Sequence, residues 1–167
     1  MQLSLSIDSS LLVRDVAGDY RPANADEVLQ AARRVLAGQM RGCEALTSPQ
    51  VVRDFLRVKL GALEHEVFAV IHLDAQNRVI DYVEMFRGTV SQTSVYPREV
   101  VKEALARNSA ALLLVHNHPS GVAEPSRADE LLTQTLKSAL ALVDVRVLDH
   151  LIVAGSAILS FAERGLL

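Results

Sequence analysis

The apolar positions in the first third of the chain recur with helical spacing. From residue 25 to residue 40 they fall three or four positions apart, as in a helix that buries one face. A second stripe begins after Ser48, a good N-cap residue followed by Pro49, and stops at Gly61. Two helices are therefore predicted, and the weak alternation before them favours a small strand pair or a loose arm over residues 1–20. The positions concerned are Leu3, Leu5 and Ile7 in the arm, Val28, Ala31, Ala32, Val35 and Leu36 in the first helix, and Val52, Phe55, Leu56 and Leu60 in the second.

From about residue 66 the pattern becomes that of strands. Two mainly apolar runs, 66–73 and 78–86, flank the polar turn 74–77, and this arrangement predicts a β-hairpin. A helix opened by Pro97 is predicted over 98–107, because its apolar residues share one face.

The last third of the chain alternates strands with one longer helix. An apolar run that continues into polar residues predicts a buried strand over 110–118. A helix over 126–142 follows, then one or two bent strands over 145–153 and a short strand over 158–161. The order β-β-α-β-α-β-β predicts the α/β (α+β) class, a mixed sheet flanked by helices behind a short N-terminal helical module.

Composition excludes several classes of protein. Half of the residues are hydrophobic, which is enough for a packed core and argues against disorder. The formal net charge of −3 is unlike that of a protein that coats duplex DNA. The single cysteine, Cys43, can form neither an intrachain disulfide nor a multi-cysteine zinc site, and it is interpreted as a structural thiol. Without a membrane-length apolar run or a recognisable signal peptide, the predicted location is the cytoplasm, with no membrane partner.

Two histidines at the end of the 110–118 strand suggest chemistry. His116 and His118 point to the same face, because strand side chains alternate with a period of two. After a turn at residues 119–121, Ser126 is a good N-cap and Asp129 is the third helical residue beyond it. Two imidazoles and a carboxylate would then meet across a short loop, which suits zinc with an open fourth position.

Each of these features also has an ordinary structural interpretation. A histidine pair at a strand end is often a hydrogen-bonded surface pair. Ser126 and Asp129 form the pattern of a capping box, which needs no metal. The spacing of all four residues together is more specific than either feature alone, and capping is compatible with metal binding because a cap fixes the helix end that presents the aspartate.

The combined pattern resembles the RadC family of the JAB/MPN superfamily of zinc metallopeptidase-like domains. The superfamily's signature is a glutamate, then H-x-H, seven residues and S-x-x-D, and the chain contains it without a gap. The resemblance implies a JAB/MPN fold of the cytidine deaminase-like type. The matching residues are Gly88-Thr89, Pro97-Arg98-Glu99-Val100, His116-Asn117-His118-Pro119-Ser120-Gly121, Pro125-Ser126-Arg127-Ala128-Asp129 and Leu148-Asp149-His150.

The resemblance also implies roles for individual residues. His116, His118 and Asp129 would bind Zn²⁺, and Ser126 would help to hold the substrate oxyanion. A glutamate at the head of the first sheet strand would be the general base. Glu64 and Glu66 both precede that strand, and Glu66 is favoured because apolar residues follow it directly.

Three other polar residues have predicted structural roles. His72 shares strand parity with Glu66 but is predicted not to be a ligand. His150, in the bend at Asp149-His150, is expected to lie near the site without binding the metal. Asn117 points away from the histidines and is expected to brace the loop that follows it.

These observations predict the organisation and function of the chain. Residues 1–47 form an arm and a helix, and residues 48–167 form the RadC-like domain, with a core over about 66–163. The predicted function is that of a JAMM-type zinc hydrolase, a metallopeptidase or isopeptidase acting on a peptide or protein. The alternative is a DNA-repair or mobile-element accessory protein whose metal site is structural or vestigial.

DNA contact is not favoured by the net charge, and no clear helix-hairpin-helix pattern is present. Arg33, Arg34 and Arg41 could form a small basic patch on the first helix, although a solvated helix face is the ordinary interpretation of such residues.

Overall fold

A five-stranded mixed sheet forms the centre of this computed structural model, which describes residues 11–45, 48–89 and 94–167. The predicted alternation at residues 3–7 lies outside these ranges. The elements in chain order are β1 (Leu12–Arg14), β2 (Tyr20–Pro22), α1 (Ala25–Met40), α2 (Pro49–Leu60), β3 (Val67–Leu73), β4 (Val79–Arg87), α3 (Pro97–Ala106), β5 (Ala111–Asn117), α4 (Arg127–Ala141), β6 (Arg146–Ala154), β7 (Ala157–Ser160) and α5 (Phe161–Arg164).

The sheet has the strand order β4-β3-β5-β6-β7. β3 runs antiparallel to both of its neighbours, β4 and β5, while β5 and β6 are parallel and are joined through α4. β1 and β2 form a separate two-stranded sheet. The predicted fold class and the predicted order of elements are confirmed.

Helices cover both faces of the two central strands, and every residue of β3 and β5 is buried as a result. One face packs against α2 through Val67, Ala69 and Ile71. The other packs against α3 and α4 through Phe68 and Val70 of β3. Complete burial of each such side chain contributes about 1.5–3 kcal/mol, so the two central strands are the most firmly held part of the fold. None of the helices that the structure describes is both long and apolar enough to cross a bilayer.

A β-bulge interrupts β6 at Leu148. Val147 pairs with Leu112 of β5, but the next residue of β5, Leu113, pairs with Asp149. The extra residue shifts the side-chain alternation by one, so His150 faces the α4 side of the sheet instead of the opposite side. The segment predicted as one or two bent strands is therefore a single bulged strand.

The last predicted strand lies one residue earlier in the chain than expected. β7 ends at Ser160, and Phe161 begins α5 instead of completing the strand. The Ser160 hydroxyl accepts a hydrogen bond from the Glu163 N–H, which caps this helical turn.

The end of α2 lies directly on the turn between β6 and β7. A Cβ atom built on Gly61 would meet the carbonyl oxygen of Gly155 at 2.5 Å. The backbone of Gly61 has an ordinary φ of −63°, so close packing is the reason for glycine here. This contact fixes the N-terminal helices against the sheet.

We expect Gly61→Ala to lower the free energy of unfolding by about 1–3 kcal/mol, because the added methyl group forces α2 away from the turn. The matched control is Gly38→Ala in α1, where a Cβ would meet nothing within 4 Å. This control should instead raise stability by about 0.5–1 kcal/mol through helix propensity. Urea denaturation of both variants checks the prediction, and a neutral or stabilising Gly61→Ala would contradict it.

Candidate metal centre

Two elements bring the predicted metal ligands together. His116 is the second-to-last residue of β5, and His118 follows the end of the strand directly. The His118 N–H donates to the Val153 carbonyl at 2.8 Å, which continues the pairing with β6 and keeps both histidines on one face. A turn at Gly121, with φ of 77°, then reverses the chain toward α4 and Asp129.

The three side chains form one compact group. The distance from His116 Nε2 to His118 Nε2 is 2.9 Å, and Asp129 Oδ1 is 3.3 Å from His116 Nε2. Asp129 Oδ2 is 3.6 Å from His118 Nε2. Zinc ligands at about 2.0–2.1 Å in a tetrahedron lie roughly 3.3 Å apart, so these separations fit one metal ion. No other group of potential metal ligands is found in the part of the chain that the structure describes.

The donor set requires a positive charge at its centre. His118 Nδ1 lies 2.8 Å from the Val122 carbonyl, which can only accept, so this nitrogen carries a hydrogen. In the neutral ring Nε2 then presents a lone pair toward His116 and toward the Asp129 carboxylate. Electron pairs that face one another repel unless a proton or a metal ion lies between them. The residues therefore fit a divalent metal.

The pKa values of these groups also favour a positive charge between the three side chains. The adjacent Asp129 carboxylate, which favours a protonated ring, raises the pKa of His118 above its ordinary value, although burial opposes the shift. Burial by itself would raise the pKa of Asp129, but the neighbouring His116 and His118 rings, which can carry positive charge, outweigh it and hold that pKa below its usual range. The carboxylate is thus ionised and ready to bind a cation.

Ser126 and Asp129 form the predicted capping box. The Ser126 N–H and hydroxyl both donate to Asp129 Oδ2 at 2.7 Å, and the Ser126 oxygen accepts from the Asp129 N–H at 3.2 Å. These bonds hold the carboxylate in one orientation, with Oδ1 nearer to His116. The structure thus places Ser126 beside the predicted metal ligand Asp129, while its contact with a substrate oxyanion stays a prediction.

Glu66 is much nearer to the ligand group than Glu64. Phe68 pairs with His116 across β3 and β5, and continuing this register places Glu66 opposite His118 on the same face. The charge of Glu66 also contributes to the raised pKa of His118. Glu66 is half-buried, whereas Glu64 is exposed and two residues further out.

Asn117 fixes the segment that carries Glu66. Its Oδ1 accepts from the Val67 N–H at 2.8 Å, and its Nδ2 donates to the His65 carbonyl at 3.0 Å. The expectation that Asn117 braces the following loop is wrong, because its buried side chain reaches sideways to the neighbouring strand. It holds the residues on both sides of Glu66 and so sets where that carboxylate begins.

The other histidines lie outside the ligand group. His72 is a buried core residue whose Nδ1 lies 2.8 Å from the Ser109 hydroxyl, and burial lowers the pKa of His72 to about 4. His65 is half-buried beside Glu66, with its Nδ1 3.5 Å from Arg87 Nη2. Cys43 is half-buried near the end of α1, and burial raises the pKa of its thiol.

His150 contacts the predicted ligand His116 directly. Its Nε2 lies 2.8 Å from His116 Nδ1, on the side of the ring that faces away from the other ligands. The His150 ring packs against Phe161, with ring centroids 4.8 Å apart, and against Phe68 at 6.0 Å. Burial holds the pKa of His150 well below its ordinary value.

Sequence reasoning did not identify Thr133, which contacts His150 from α4. Thr133 is four residues after Asp129 and so lies on the same helix face, which was the available signal. Its importance depends on the bulge in β6, which turns His150 toward it.

Comparison with known proteins agrees with these observations. The family model of the RadC-like JAB domain matches residues 46–166. The UPF0758 protein of Leptothrix cholodnii is 62% identical over 150 residues, which cover 90% of this chain and 68% of that protein. The UPF0758 protein of Aromatoleum aromaticum is 64% identical over 146 residues, or 87% and 65% of the two chains. The UPF0758 protein of Methylibium petroleiphilum is 57% identical over 167 residues, which cover 95% of this chain and 75% of that protein.

The chain spans about two thirds to three quarters of the length of these three relatives. The mixed sheet with helices on both faces is consistent with the JAB/MPN fold that the resemblance implied. By the family match and by these identities, the chain belongs to the RadC-like JAB domain family.

Proposed function

We propose that this chain is a zinc-dependent hydrolase of the JAMM type, which cleaves an amide bond in a peptide or protein substrate. The observation that carries the proposal is the meeting of His116, His118 and Asp129 beside Glu66. Three protein ligands with one position left open are typical of catalytic zinc sites, whereas structural zinc sites have four.

The protein side of the site is suited to this reaction. His116, His118 and Asp129 would hold the ion, and zinc bound there would polarise the substrate carbonyl and lower the pKa of a water molecule. The partly exposed side chains of His118 and Asp129 leave the site open to a substrate, at 18% and 14% exposure.

Proton transfer is assigned to Glu66. As the water oxygen bonds to the carbonyl carbon, Glu66 accepts one proton of the water and then gives it to the leaving amine nitrogen as the C–N bond breaks. Asn117 keeps the backbone around Glu66 in place for both transfers. Ser126 would stabilise the developing oxyanion by turning its hydroxyl from Asp129 toward it. A free amine and a free carboxylate result, which describes both a peptidase and an isopeptidase.

A second candidate function, association with nucleic acid, is supported by a different region. A cavity of about 300 Å³ lies between α1, α2 and β4, with Phe55 and Tyr82 among its apolar lining residues. The only acid in its lining, Asp81, is paired with Arg107. The basic residues of the lining are Arg33, Arg34, Arg41 and Lys59.

This local excess of positive charge contrasts with the net charge of the whole chain. Arg34 and Arg41 are exposed, and neither is paired with an acid within the described ranges. Basic side chains around aromatic ones are the arrangement that binds single-stranded nucleic acid, in which phosphates pair with cations and bases stack. The patch therefore supports an accessory role on DNA, which is compatible with the zinc site.

For the metal, we expect the purified wild-type chain to bind zinc and His118→Ala to lose it. Removal of a ligand should weaken zinc binding by more than about 100-fold, since loss of an outer hydrogen-bond partner alone costs about 10–100-fold. His65→Ala is the control, because His65 is a nearby half-buried histidine outside the ligand group. Competition with a chromogenic chelator measures both affinities, and circular dichroism checks that both variants fold. Equal zinc binding by wild type and His118→Ala would exclude this site.

For the general base, we expect Glu66→Gln to lower kcat/KM for hydrolysis by about 10²–10⁴-fold while the zinc content stays unchanged. The amide keeps the size of the side chain but cannot accept the proton. Glu64→Gln is the matched control and should keep wild-type activity. A cleavage assay on a peptide library, read by mass spectrometry, first supplies the substrate for these measurements. Full activity in Glu66→Gln, or its loss in Glu64→Gln, would contradict the assignment.

For nucleic acid, we expect wild type to bind a single-stranded oligonucleotide with an affinity that falls as salt rises. The double variant Arg34→Ala/Arg41→Ala should reduce the slope of log affinity against log salt by about one to two. Arg98→Ala/Lys102→Ala removes the same charge from exposed positions of α3 and should leave the slope unchanged. Fluorescence anisotropy across a salt series measures the slopes. Absence of binding by wild type, or equal slopes in the two double variants, would exclude this second function.

A further inference from the structure

A chain of hydrogen bonds runs behind His116, on the side away from the other ligands. His116 Nδ1 lies 2.8 Å from His150 Nε2, and His150 Nδ1 lies 2.6 Å from Thr133 Oγ1. The Thr133 hydroxyl in turn donates to the Asp129 carbonyl at 2.6 Å. The chain thus begins on the ring of one metal ligand and ends on the backbone of another. All three of its side chains are buried, with exposures of 2% for His116 and 0% for His150 and Thr133.

The hydrogen bond from Thr133 to the Asp129 carbonyl fixes the donor and acceptor of every other bond in this series. A carbonyl oxygen can only accept, so the single hydroxyl hydrogen of Thr133 points to Asp129. Thr133 Oγ1 must then accept from His150, and His150 Nδ1 carries a hydrogen. His150 is completely buried, packs against the rings of Phe68 and Phe161, and has no carboxylate on either nitrogen, so it is neutral and its Nε2 is an acceptor.

The ring of His116 must therefore donate through Nδ1. A neutral imidazole has one hydrogen, so a hydrogen on Nδ1 leaves the lone pair on Nε2, which faces His118 and Asp129. We propose that Thr133, acting through His150, sets the tautomer of His116 and so presents its Nε2 lone pair to the metal. This inference rests on the proposed metal site. Thr133 and His150 are positioning residues, since neither belongs to the ligand group.

This series of hydrogen bonds also connects the two halves of the site. His116 comes from β5 and Asp129 from α4, and the two residues are thirteen positions apart in sequence. Through His150 of β6, Thr133 links the first turn of α4 to the His116 ring. The same bonds that select the tautomer thus limit how far the aspartate and the imidazole can move apart.

The contact of Thr133 with the helix backbone is not by itself unusual. Thr135 donates in the same way to the Leu131 carbonyl at 2.8 Å, and Ser138 donates to Gln134. Thr135 is exposed and has no hydrogen bond to a histidine. The second contact, from His150 to Thr133, is what separates the two threonines, and it makes Thr135 a matched control.

The experiment compares Thr133→Val, Thr133→Ser and Thr135→Val with wild type. Valine keeps the shape of threonine without a hydroxyl, whereas serine keeps the hydroxyl. Long-range ¹H–¹⁵N correlation spectra of histidine rings, recorded on metal-free protein above the pKa of His118, report which ring nitrogen carries the hydrogen. Chelator competition then gives the zinc affinity of each protein. Thermal unfolding establishes that each variant is folded under the conditions used.

We expect wild type, Thr133→Ser and Thr135→Val to carry the hydrogen on Nδ1 of both His116 and His150. Thr133→Val should lose this uniform tautomer and bind zinc about 10–100-fold more weakly, while the other two variants match wild type. A threonine with a merely structural role would change the melting temperature without changing the His116 tautomer.

Two results would overturn the inference. One is a hydrogen on His116 Nε2 in the wild-type protein. The other is an unchanged tautomer and zinc affinity in Thr133→Val. If Thr133→Val does not fold, the spectra of wild type and Thr133→Ser still test the inference, because a hydrogen on His116 Nε2 in either protein overturns it. If wild type binds no zinc, the proposed function fails, and the metal-free spectra still test the tautomer by themselves.

Discussion

Mutual repulsion of three electron-pair donors is the constraint on which the rest of the site depends. The ring nitrogens of His116 and His118 and the Asp129 carboxylate lie within 3.6 Å of one another, in a partly buried position. Such a group is stable only with a cation at its centre or with a scaffold that prevents its members from separating. Here the scaffold is a strand buried on both faces and a helix capped at its first turn. A proton on His118 can supply the charge, and the same donor set could hold a divalent metal in its place.

Each predicted ligand is oriented by a hydrogen-bond partner that also contributes to the fold. The carbonyl of Val122 orients His118, the buried His150 orients His116, and Ser126 orients Asp129. The two donors from Ser126 both reach Oδ2, which leaves Oδ1 as the less engaged oxygen. An N-cap of this kind stabilises a helix by about 0.5–2 kcal/mol with or without a metal. Helix capping and the proposed metal binding are thus two uses of one carboxylate, and capping does not require an ion.

The sequence predicted the elements well because their patterns are local. The apolar runs of β3 and β5, the N-caps and the helix stripes depend on neighbours in sequence, and the structure confirms their order. The ligand group could also be predicted, because His116 and His118 share a strand face and Asp129 sits one turn into a helix that must fold back. Spacing along the chain was enough to place these three side chains near one another.

What could not be predicted depends on the register between strands. The single extra residue at Leu148 turns His150 onto the face that carries His116, and no pattern of apolar residues in β6 marks it. Without this bulge His150 would point toward α2, and Thr133 would be a helix threonine with no histidine to contact. Asn117 was misassigned for a similar reason, since its partners at His65 and Val67 are neighbours only across the sheet. The ligands of the site are therefore set by local sequence, whereas the residues that orient them are set by the pairing of β5 with its neighbours on both sides.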